Sequence, residues 1–165
     1  MSPQYNLTKT QHGFYIFKTD DEIEYTAFFT QCLVDDKEGN THKVYSFGFE
    51  KNGSYNSEKF AAKHDPKIKA TIIFIVNEFF RSNGSNTLIY FCFHDDNLAR
   101  QRSITFSKWY NESLTDNIEH HKTTSIYNDK PIYVGTLILR DNPLRELAFE
   151  AIDNYIRDLV SEKES

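Results

Sequence analysis

Apolar and polar residues alternate with a period of two through much of the first fifty positions. Phe14–Lys18 predicts a short strand, turned by Thr19-Asp20-Asp21-Glu22 into a longer, aromatic-rich strand over Ile23–Val34. The polar run Asp35-Asp36-Lys37-Glu38-Gly39-Asn40 predicts a hairpin loop. Lys43–Glu50 then returns with Tyr45, Phe47 and Phe49 on one face. Between them Ser46 and Gly48 are small, so the opposite face is either solvated or closely approached by another element. These three strands make an antiparallel meander.

The period then lengthens. After the break at Lys51-Asn52-Gly53-Ser54, Asp65-Pro66 has the form of a helix start, a capping carboxylate followed by a residue whose missing N–H costs nothing there. Ile68, Ile72, Ile75 and Phe79 recur at helical spacing as one stripe. Asn83-Gly84 closes the helix, with Gly84 suited to a left-handed residue beyond its end. Leu88–Phe93 is an apolar run without polar alternation, which predicts a strand covered on both faces. It leads into His94-Asp95-Asp96-Asn97, where Asn97 is placed to cap a second helix carrying Arg100, Arg102, Phe106 and Trp109. His120–Tyr127 and Ile132–Arg140 predict a hairpin turned through Asn128-Asp129-Lys130-Pro131. Asn142-Pro143 opens a C-terminal helix with Leu144, Leu147, Ala148, Ala151, Ile152, Tyr155 and Leu159 on one side. The order is βββ-α-β-α-ββ-α. Strands outnumber crossover helices, so the expected fold is a single α+β domain over residues 1–165, with a largely antiparallel mixed sheet and three main helices.

Composition narrows the function classes. Phe and Tyr number 14 and 10, which favours a packed core over disorder. A net charge of −5 argues against a general nucleic-acid binder, although a local basic patch remains compatible with it. Cys32 and Cys92 lie in separate apolar segments, the pattern of buried thiols. No apolar stretch is long enough to span a bilayer, and the first residues lack a basic region followed by an apolar run. A cytoplasmic protein without membrane contact is expected.

Candidate chemistry gathers where the Leu88–Phe93 strand ends. Arg102 shares a helix face with Phe106 and Trp109, and a guanidinium there must find partners. Asp95 or Asp96 is placed to supply a carboxylate, which makes Arg102 a structural tie. The alternative is an anion or phosphate clamp in which Arg102 and Arg100 sit beside a helix N-terminus. Asp95, Asp96, Arg100, Arg102 and Trp109 are therefore the candidate ligand-binding residues. His94, Asp95 and Asp96 with His120 and His121 invite a metal reading, but adjacent strand residues point to opposite faces, so no metal is expected. No G-x-S-x-G, C-x-x-C, H-E-x-x-H or glycine-rich phosphate loop occurs, so no catalytic residue and no cofactor are named.

The segments Phe14-Tyr15-Ile16-Phe17-Lys18-Thr19-Asp20 with Tyr25, and Leu88–Cys92 with Asp95, Arg100-Gln101-Arg102, Phe106 and Trp109, resemble a family of small bacterial proteins. That family is catalogued only as a domain of unknown function. The resemblance implies a bacterial, cytoplasmic setting and carries over no catalytic role. The expected function is a non-enzymatic protein-binding or regulatory module, with a protein partner or a homodimer. The alternative is an enzyme or sensor acting on a phosphorylated or nucleic-acid ligand at the strand end.

Overall fold

The computed structural model describes residues 4–51, 65–92, 99–114 and 117–164. The described elements run β1 (Thr8–Lys9), β2 (Tyr15–Lys18), β3 (Glu24–Asp35), β4 (Thr41–Lys51), α1 (Pro66–Ser82), β5 (Thr87–Cys92), α2 (Ala99–Ser113), β6 (Ile118–Tyr127), β7 (Lys130–Leu139) and α3 (Arg145–Glu164). This is the expected α+β order, with the two-residue strand β1 added in front.

All seven of these strands join one mixed sheet in the order β1-β2-β3-β4-β5-β7-β6. Neighbours are antiparallel except β4 and β5, which are parallel. A parallel pair needs a crossover, and α1 lies in that connection. Its start follows the sequence: Asp65 is extended, at φ −107° and ψ 104°, and its carboxylate accepts from Lys67 N at 2.8 Å. Its end differs. Gly84 is not among the positive-φ residues; instead the Asn83 side chain donates to Phe79 O at 3.0 Å, so a side-chain amide takes up one of the last carbonyls. At α3 the Asn142 side chain accepts from Leu144 N at 2.9 Å, as the sequence predicts.

The period-two pattern sorts side chains onto two faces. On the front face Phe17, Tyr25, Ala27, Phe47, Leu88, Tyr90 and Leu137 pack against Ile72, Ile75, Val76 and Phe79 of α1 and Phe106, Trp109 and Tyr110 of α2. On the back face Val34, Val44, Ile89 and Val134 pack against Ala151, Ile152 and Ile156 of α3. The sheet is thus the middle of three layers. Central β5 is covered on both sides, as its unbroken apolar run requires, and Ile89 and Leu88 are fully buried. Each such side chain contributes about 2 kcal/mol of burial.

The small residues of β4 have a local explanation. Gly48 lies opposite Phe28 of β3, and the Phe28 ring crosses it so closely that a Cβ there would sit 2.7 Å from Cζ. The neighbouring strand is the close-approaching element. No helix among the described residues is long and apolar enough to cross a membrane.

Candidate functional site

The strand-end constellation is only partly assembled. Asp95 and Asp96, with His94 and the expected cap Asn97, lie outside the described residues. Arg100 is exposed in the first turn of α2, and Arg102 is half-buried and has an interaction partner. Trp109 is a core residue, 6% exposed, packed against Phe106 with ring centroids 5.5 Å apart. The helix face foreseen for Arg102, Phe106 and Trp109 is real, but its tryptophan is spent on packing. The candidate metal ligands also separate. His120 faces front against Tyr90, while His121 faces back against Phe149, centroids 4.8 Å apart. Among the described residues no group of three metal-ligating side chains comes together.

What the fold assembles instead is a polar contact beneath α2 that residue spacing does not reveal. The Tyr90 hydroxyl lies 2.8 Å from His120 Nε2, across β7, which separates their strands. Gly135 of β7 lies opposite Tyr90 and makes the reach possible, since any Cβ there would overlap the tyrosine ring. A lone glycine inside a strand was the one signal of this close approach in the sequence. Tyr110 closes the group, its ring 5.4 Å from Tyr90 and 5.6 Å from His120.

Burial keeps this group uncharged. Burial, with Lys122 and His121 adding repulsion, pushes the His120 pKa down to about 4, so the imidazole is neutral near pH 7. Burial raises the Tyr90 and Tyr110 hydroxyls above their ordinary range. Burial also pushes the Cys92 thiol up to about 11, against the nearby charges of Arg102 and Lys122. The thiol and both phenols are thereby held in their neutral forms. The cluster is a polar weld between β5 and β6.

Its consequence is a well-held outer strand. On the front face β6 is fixed by His120. On its back face Thr123 donates to Asp153 Oδ1 of α3 at 3.0 Å, and Glu119 pairs with Arg145 at 3.4 Å. Yet β6 has a strand on one side only: it pairs with β7 over all ten residues and has no second neighbour among the described ones.

The ladder identifies the groups left over. Arg140 N donates to Asn117 O at 2.7 Å, and residues 117 and 140 continue the register Ile118↔Leu139. In an antiparallel ladder bonded and unbonded pairs alternate, so odd-numbered residues of β6 bond to β7. The two-residue turn Asn128-Asp129, with φ of 53° and 62°, closes the hairpin at the bonded pair Tyr127↔Lys130 and agrees. Pro131, which has no N–H, falls opposite Ile126 at an unbonded pair. The amides and carbonyls of His120, Lys122, Thr124 and Ile126 therefore point outward along the edge. Ile126 is 60% exposed.

The chain belongs to the family of unknown function DUF6169, whose model matches residues 64–154, just over half of the chain. The match begins at the cap of α1 and contains β5, α2, β6 and β7. It excludes the Phe14–Tyr25 segment, which the sequence resemblance had included. No curated protein and no solved structure matches the chain.

Proposed function

We propose that this chain is a non-enzymatic protein-binding module that receives a partner by strand addition at β6. One observation carries the reading: a ten-residue edge strand, tied on both faces, with a row of backbone donors and acceptors that no strand among the described residues takes up. Such an edge is a template for another strand, and proteins that do not use one usually shorten, bulge or proline-block it. β6 contains no proline, and its charges within the ten residues are Glu119 and Lys122. The uncharged state of Tyr90, His120 and Cys92 is in keeping with a packing role for this cluster, with binding at the edge. A cytoplasmic setting belongs to the same reading, in keeping with two free thiols on opposite faces of the sheet.

The test removes one backbone donor at the edge. Thr124→Pro removes an outward N–H and leaves the bonds to β7 in place, whereas Thr124→Val keeps that N–H. Native mass spectrometry of gently isolated protein is expected to show added polypeptide mass on the wild type and on Thr124→Val. Thr124→Pro should lose it while keeping its melting temperature within about 3 °C. Equal polypeptide mass on all three would overturn strand addition, and a small-molecule adduct alone would overturn it and favour the anion-site alternative around Arg102.

A further inference from the structure

Resting on that reading, we infer that the strand added at β6 is the β6 of a second copy, paired antiparallel about a two-fold axis through Thr123. The register follows from two constraints. Opposed residues must lie on the same face of the joined sheet, and outward-bonding residues must meet outward-bonding residues. Both are satisfied when even-numbered residues oppose even-numbered ones, which leaves three central registers.

Charge and length choose among them. If Lys122 opposes its own copy, two ammonium groups meet directly across the strands, an unfavourable pair. If Thr124 opposes its copy, the ladder shortens to residues 121–127, and His120 falls opposite the turn residue Asn128. If Thr123 opposes its copy, residues 119–127 all pair. Lys122 then lies opposite Thr124, His120 opposite Ile126, His121 opposite Ser125 and Glu119 opposite Tyr127. No like charges are directly opposed. Ile126, left in water by the single chain, comes to lie beside the partner's front-face ring at position 120. The edge carries one Glu and one Lys, so two copies meet here without the repulsion expected of chains at net −5.

Thr123 is at an unbonded position of the new ladder, where opposed Cα atoms approach to about 4.5 Å, within the span of a disulfide. The experiment places cysteine at each of three neighbouring positions, Lys122→Cys, Thr123→Cys and Thr124→Cys, with Cys32 replaced by Ser and buried Cys92 retained. Under a glutathione redox buffer, Thr123→Cys is expected to give an intermolecular disulfide roughly ten-fold faster than either neighbour. Adding Thr124→Pro should abolish that advantage. Sedimentation equilibrium on the wild type should show a dimer at about 100 µM. Preferential linkage at 122 or 124, equal linkage at all three, or linkage indifferent to Thr124→Pro would each overturn the inferred pairing. If the wild type is monomeric but loses a different polypeptide in Thr124→Pro, self-pairing falls and the edge reading stands. If Thr124→Pro changes nothing, both fall.

Discussion

The two edges of this sheet are built in opposite ways. At one end β1 is two residues long, and Lys9 extends over the Tyr15 ring, 5.6 Å from its centroid. At the other end β6 runs for ten residues, with side chains tied to α3 behind it and to Tyr90 in front. A short edge topped by a lysine offers a second strand little to pair with; a long, rigid and nearly neutral one offers a full ladder. The contrast makes β6, and not β1, the edge with room for a further strand. It also shows that the order of the β6 side depends on a buried contact, whereas the β1 side depends on very little.

The β6 side is most vulnerable from underneath. Gly135→Val should drive Tyr90 off β7, open the weld to His120 and cost about 3 kcal/mol, read as a lower urea midpoint. An unchanged midpoint would mean that Tyr90 does not depend on the bare backbone at Gly135.

Acid should weaken the same side more gently. His120 titrates near 4 when folded and near 6.5 when unfolded, so the unfolded chain binds the extra proton between those values. Its contribution is complete above pH 6.5 and lost as pH falls towards 4. The expected loss is about 2 kcal/mol, after discounting for the part of the ring still in water. His120→Gln should remove that slope from a plot of stability against pH, and a slope that persists would assign it to other groups.

The smallest effect is expected at the opposite edge. Thr10 N bonds Phe14 O at 2.8 Å, so alternation leaves the Lys9 amide pointing outward. Lys9→Pro should therefore shift stability by less than about 0.5 kcal/mol and leave assembly unchanged. A large drop would show that β1 protects its edge by more than its shortness.

Much of this architecture was legible beforehand because it is written in local periods. The Asp65-Pro66 start, the α1 stripe and the doubly covered β5 all follow from neighbours in sequence, as does the β6–β7 turn, although it closes at Asn128-Asp129 and leaves Lys130 and Pro131 of the predicted turn in β7. Gly84 shows the limit at short range, since a side-chain amide at Asn83 did what a left-handed glycine was expected to do. The proposed ligand residues show it at long range. Arg102 and Trp109 do lie on one face of α2, but whether a face meets solvent, ligand or core depends on what is packed over it. The buried pair at Asp36 makes the same point. Asp35–Asn40 was predicted to be a polar loop, and the loop runs from Asp36 to Asn40, with Asp35 the last residue of β3. Yet His42 Nε2 lies 2.7 Å from Asp36 Oδ2 with both side chains enclosed. Burial opposes the charge on Asp36, but hydrogen bonds from His42, Asn40 and Glu38 prevail and hold its carboxyl down to about 2.

Every described element but β1, the order of those elements and the apolar stripe of each helix could be read from the sequence, because periods of 2 and 3.6 are properties of the backbone itself. Only the tertiary structure decided that β7 would lie between β5 and β6, which brings Tyr90 to His120 across thirty residues and leaves β6 on the outside. Strand order is set by which surfaces bury one another best once all are present, a sum over the whole chain that no single segment records.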